Sequence, residues 1–190
     1  MTTGWAISSI IPENAQGVAM LQEELPFVAR LIRGQRVASL GTLAEGAPFV
    51  SLVAYAVEDD LCGYLLHLSD LSPHTRHLRA DRRAALLIAE PETPATADVQ
   101  TLARITLSGV VDLVAKDTPE YATGRERYLA RHPAAAMLFD FADFNLYRFT
   151  ADGARYVGGF ARAYTLTVDH LRRASSLLDA QPSGESHAGC

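Results

Sequence analysis

RVASLGTLAEGAPFVSLVAYAVEDDLCGYLLHL, residues 36–68, decides the fold. RVASLGTL (36–43) reads as a strand, AEGAP (44–48) as a turn, and FVSLVAYAV (49–57) as its antiparallel partner. Glu58, Asp59 and Asp60 make the next turn, and LCGYLLHL (61–68) is a third strand. Links this short cannot carry a parallel crossover, so the three strands form a meander.

Outward from the meander, helices and further strands alternate. Upstream, Leu21, Leu25, Val28, Leu31 and Ile32 follow helical spacing from Met20 to Arg33, with Gly34 at the C-cap. Residues 1–19 read as an irregular arm. Downstream, Ser72 and Pro73 open a short helix that runs to Asp81. AALLIAE (84–90) is a buried strand, and residues 91–98 form a Pro/Thr/Ala loop. LARITLSGVVDLV (102–114) is a long strand, in which Gly109 marks a bulge or a close backbone approach. A second helix starts at Thr118 and Pro119 and runs to Pro133, and AAAMLFDF adds a short turn. NLYRFTA (145–151), a turn at Asp152-Gly153, and ARYVGGFARAYTL (154–166) read as a closing hairpin. Residues 20–172 thus form one domain, and 173–190 a polar, mobile tail. The fold class is mainly β: an antiparallel, Greek-key-like barrel with short helices at its corners.

Composition sets further bounds. Hydrophobic residues make up 48% and charged residues 21%, ordinary for a globular domain. No apolar run nears the ~18 residues of a membrane span, and the N-terminus lacks a signal-peptide pattern, so the expected location is cytoplasmic. The net charge of −5 argues against nucleic acid as partner. Cys62, in an apolar strand, and Cys190, in the tail, are not expected to pair. Lys116 is the only lysine among 17 basic residues. Arginine suits phosphate and carboxylate contacts, although a codon bias produces the same skew.

Three places can hold a ligand. In LLHLSDLSPHTRHLRAD (65–81) a strand feeds a helix start where Ser69, Ser72 and Thr75 bring hydroxyls and His74 and Arg76 bring donors. Unpaired N–H groups there suit a phosphate, or the helix is simply a capped corner with Asp70 beside it. In LARITLSG, alternation places Arg104, Thr106 and Ser108 on one polar face that lines a groove or faces water. Gly158 and Gly159 let the backbone approach something flat, with Phe160 to stack and Arg162 to supply charge; the alternative is a hairpin bulge.

With these segments in view, the chain resembles the pyridoxamine-phosphate-oxidase-like FMN-binding split barrels, and within them the HugZ-type haem-utilisation and stress-protein branch. VASLGTLAEGAPFVSLVAYAV, LLHLSDLSPHTRHLRADRRAALLI, ARITLSGVVDLV and FADFNLYRFTADGARYVGGFARAY carry the resemblance over residues 30–166. The VGGF-x-RA core of the last selects the branch.

The resemblance implies a homodimer with FMN at the interface. Val50, Ser51, Leu52 and Val53 would approach the flavin, while Ser69, His74 and Thr75 would bind its phosphate end. Arg104 would present a polar group, and Gly158, Gly159, Phe160 and Arg162 would approach the ring or a small-molecule substrate, from either subunit. Arg104 and Arg162 are then the candidates to stabilise reduced, anionic flavin. No catalytic acid or base stands out beyond His74 and Tyr55, and no metal site is expected.

The chain departs from the oxidases in having Pro73-His74 for their Arg-Lys pair and in lacking their C-terminal substrate signature. It departs from the branch at His77, where Asn is usual, and at Ala161, where Gly is usual. It also ends before the extra C-terminal domain many relatives carry. The leading expectation is an FMN-dependent oxidoreductase. The alternatives are a haem-binding or haem-degrading protein, with His67, His74 and His77 as available iron ligands and His187 in the tail, and a non-catalytic binding protein without flavin.

Overall fold

The computed structural model describes residues 15–159 and 162–179. In chain order they form α1 (Ala15–Gly34), β1 (Val37–Ala44), β2 (Ala47–Ala54), β3 (Ala56–Val57), β4 (Gly63–Ser69) and α2 (Pro73–Ala80). β5 (Arg83–Ala89), β6 (Arg104–Leu113), α3 (Pro119–Arg131), β7 (Phe144–Val157), β8 (Ala163–Leu166) and α4 (Val168–Asp179) follow. A 3-10 helix, Pro133–Asp140, links α3 to β7.

The strands make one antiparallel sheet ordered β2-β1-β5-β6-β7-β4-β3, with β8 also paired to β7. β2 and β3 are its two edges, yet only Tyr55 separates them in sequence. The sheet must therefore curl until its edges meet, which makes it a barrel. Tyr55 secures the corner: its ring is buried, and its hydroxyl donates to Ile32 O at 2.6 Å. The expected single strand 49–57 is thus broken at this residue. Inward-facing Leu40, Leu86, Leu107 and Ala154 lie in register across four strands and build the core. Leu25, Val28 and Ile32 of α1 join it.

Three expectations need correction. The Asp152-Gly153 pair is not a hairpin turn, because β7 runs through it for 14 residues. Ser108 pairs with Gly153 and Gly109 with Ala151, so Asp152 is the extra residue of a β-bulge. The bulge resets the pleat: Tyr147, Phe149 and Ala151 point inward before it, Ala154 and Tyr156 after it. β7 instead ends at Val157, where Gly158 N–H donates to Arg162 O at 2.8 Å and Gly159 stands at φ 123°.

Second, residues 173–179 are helical. Leu171, Ala174 and Ser175 form a buried stripe at helical spacing, and Ser175 accepts from Arg33 of α1 at 2.7 Å. Third, α1 begins at Ala15, ahead of the expected Met20. The rest of the arm (1–14) and tail (180–190), with Cys190 and His187, lies outside the described residues. Cys62 is a buried free thiol. Among the described residues no helix is long and apolar enough to cross a membrane.

Candidate functional site

The sequence-predicted residues fall into two groups on different parts of the barrel. The first gathers around β2 and α2. Pleating divides Val50–Val53: Val50 (65% exposed) and Leu52 (70%) project from the outer face, whereas Val53 is buried. Ser51 turns to α2, its Oγ 3.0 Å from His74 Nδ1. One turn on, His77 Nδ1 lies 3.1 Å from Thr42 Oγ1 of β1, with the ring edge-on to Phe49. Burial, and then the neighbouring His77, hold the His74 pKa below its ordinary value.

The hydroxyls expected to cradle a phosphate are engaged within the protein. Thr75 is fully buried, and its hydroxyl donates to Ser69 O at 2.7 Å. Ser69 Oγ donates to Asp143 Oδ2 at 2.6 Å. Asp70, paired with Arg79 at 2.6 Å, adds a second carboxylate. Ser72 stands at the N-cap, but its side chain makes no capping bond.

The second group lies where the β7–β8 turn meets α1. Gly158 and Arg162 line a cleft of about 480 Å³ together with Glu24, Phe27, Arg30 and Tyr156. Arg162 Nη1 pairs with Glu24 Oε1 at 3.1 Å and its other arm donates to Gly158 O. Gly158 sits in a crowded place: a methyl there would lie 2.8 Å from the Tyr156 hydroxyl and 3.0 Å from Glu24 Oε2, so these side-chain ends would have to shift. Burial, reinforced by Glu24, pushes the Tyr156 hydroxyl up to about 12. Arg104, nearby on β6, donates to Gln100 O and Leu102 O at 3.2 and 3.1 Å. Phe160 lies outside the described residues. Glu24 escaped the sequence reading, although a carboxylate among Leu21, Leu25 and Val28 on an apolar helix face was a legible signal.

Between the groups runs the outer face of the sheet. Leu52, Ser39, Leu87, Thr106 and Arg155 lie in register across five strands, and Val50, Gly41, Ala85 and Ser108 form the adjacent row. Exposed Val50, Leu52 and Leu87 make this face largely apolar over β2 and β5, and Arg104, Thr106, Ser108 and Arg155 make it polar and cationic over β6 and β7.

His67 is the third histidine of interest. It is 8% exposed, stacks on Phe139 (centroids 3.8 Å apart), and neither ring nitrogen has a hydrogen-bond partner. Burial lowers its pKa from 6.5 to about 4. The unfolded chain therefore takes up this proton as pH falls through 6.5, while the folded chain resists until about 4. The resulting stability is complete above pH 6.5 and is lost below it, by up to about 3 kcal/mol near pH 4. His67→Phe is expected to flatten that acid limb in urea titrations at pH 7.5 and 4.5 and to change little at neutral pH. An unchanged limb would show that other groups cause it.

Comparison with known proteins agrees with the fold. A Clostridium acetobutylicum protein related to general stress protein 26, of the pyridoxinephosphate oxidase family, superposes with a TM-score of 0.59 at 18% identity, over 79% of this chain and 98% of that one. The fold is therefore a split barrel of the pyridoxamine-phosphate-oxidase-like class. Residues 21–171 match the model of the CREG, beta-barrel family, and the chain belongs to that family.

Three further similar proteins carry haem in their names. The chain is 39% identical over 121 residues to the non-canonical heme oxygenase HOZ of Arabidopsis thaliana chloroplasts, covering 63% of this chain but only 35% of HOZ. It is 25% identical over 151 residues to the heme oxygenase HutZ of Vibrio cholerae, covering 77% of this chain and 82% of HutZ. A heme binding protein of Mycobacterium smegmatis superposes with a TM-score of 0.70 at 30% identity, over 80% of this chain and 60% of that one.

Proposed function

We propose that this protein binds haem on the outer face of its sheet, between the two subunits of a homodimer, as the substrate of a ring-opening reaction. The outer face carries the reading. Haem is a flat apolar ring with anionic propionates at one edge, and this face pairs an apolar half with a cationic one. Val50, Leu52 and Leu87 sit beside Gly41 and Ala85, which keep the surface low enough for a macrocycle. Arg155, with Arg104 at the same end, supplies charge for carboxylates.

The same surface supports the dimer in this reading. β2 and β7 are four strand steps apart, about 19 Å along the sheet at 4.7–4.9 Å per step. A two-fold contact through the outer face would set the β2 half of one protomer against the β6–β7 half of its partner and cover the apolar patch. The names of HOZ, HutZ and the mycobacterial protein support haem as the ligand. FMN at the same interface is the weaker reading, because Ser69 and Thr75 already spend their hydroxyls within the protein and Asp70 and Asp143 would oppose a phosphate.

Titration of the purified protein with haemin is expected to give a saturable Soret change at one haem per chain. Adding O₂ and a reductant to that complex should bleach the Soret band and release a bilin. A flat haemin titration, beside saturable quenching of added FMN, would reverse the order of the two readings.

A further inference from the structure

The side-chain hydroxyls of Ser51 and Thr42 each meet the Nδ1 of one imidazole of α2, and among the described residues neither hydroxyl makes another hydrogen bond. Among the described residues, Nε2 of His74 and Nε2 of His77 have no hydrogen-bond partner, and neither is sealed from solvent. Residues three apart on a helix are neighbours on one face. With Nδ1–H donating to the hydroxyl oxygen, each ring keeps an Nε2 lone pair available, in the tautomer that metal-bound histidines adopt when a second group holds the other nitrogen. We propose that His74 and His77 chelate a divalent transition-metal ion through their Nε2 atoms, with Ser51 and Thr42 as the groups that hold the rings.

Two imidazoles select a borderline first-row ion such as Ni²⁺, Cu²⁺ or Zn²⁺ over Mg²⁺ or Ca²⁺, which prefer oxygen. The remaining positions on the metal are left to water or an incoming ligand. The other described histidines lack this arrangement. His67 is sealed, both nitrogens of His132 are engaged by Tyr55 O and Arg36, and His170 stands apart on α4 with its Nδ1 bound by Thr167.

Calorimetric titration of the full chain with Ni²⁺, and separately with Zn²⁺, tests the pair. One ion per chain is expected. His74→Ala and His77→Ala should each weaken binding at least tenfold. Ser51→Ala and Thr42→Val should weaken it about tenfold, the low end for loss of a group that orients a ligand. His170→Ala should leave it unchanged, and far-UV circular dichroism should match the parent in every variant. Absence of one-to-one binding, or parental affinity in either histidine variant, overturns the proposal; so does an equal loss in His170→Ala. The readout is independent of the Soret titration, so the metal pair and the haem reading can fail separately.

Discussion

Gly109→Ala is expected to lower the midpoint of thermal unfolding by about 6–12 °C. A methyl at this position would lie 2.1 Å from Thr150 O and 2.9 Å from both Thr150 C and Phe149 Cζ. Two of these atoms are backbone in β7, which is paired on both sides here and cannot retreat. Overpacking a core commonly costs 1–3 kcal/mol, and a backbone clash belongs near the top, at about 3 kcal/mol. At roughly 2–4 °C per kcal/mol for a chain of this size, the stated range follows. Gly41→Ala is the matched control, because its methyl would meet nothing closer than Ala85 O at 3.7 Å. Circular dichroism melts of the two variants decide the matter, and equal midpoints would remove the argument.

The double variant Val50→Asp/Leu52→Asp is expected to sediment as a monomer and to bind haemin at least a hundredfold more weakly, about 2.8 kcal/mol at 1.4 kcal/mol per tenfold. Both side chains stand on the outer face, so the fold should survive with an unchanged far-UV spectrum. In the proposed dimer each carboxylate would be buried without a partner, a loss that association cannot recover. Met137→Asp, an equally exposed position on the 3-10 helix Pro133–Asp140, should leave assembly and haemin affinity at parental values. A double variant that stays dimeric and binds haemin normally would move the site elsewhere on the barrel.

Much of this architecture was legible in the residues. Alternation in 36–68 defined the meander, and the helix of residues 72–81 was announced by Ser72 and Pro73. The errors share a physical cause: local signals were outvoted by pairing. Asp152-Gly153 has the composition of a tight turn, but the strand on its far side continues the ladder, and a bulge absorbs the extra residue. The segment after Arg173 looks polar, yet Leu171, Ala174 and Ser175 had enough of a stripe to dock on α1. His74 lies on the corner helix where the sequence placed it. The spending of Ser69 and Thr75 on internal bonds could not, because hydrogen-bond partners 6 and 74 residues away are invisible to spacing. The pairing of Arg162 with Glu24 spans 138 residues and was hidden for the same reason.

The length of β7 also bears on how the molecule opens. Its first half is flanked by β4 and β6, its second half by β6 and β8, so almost every amide along it is held from one side or the other. Edge strands can fray one at a time; this one cannot leave without dismantling both halves of the barrel. In deuterium exchange, the amides of Tyr147–Phe149 and Ala154–Tyr156 should therefore outlast those of β2 and β3, reporting the cooperative opening of the whole domain. Asp152, at the bulge between them, should be the early leak in an otherwise closed ledge.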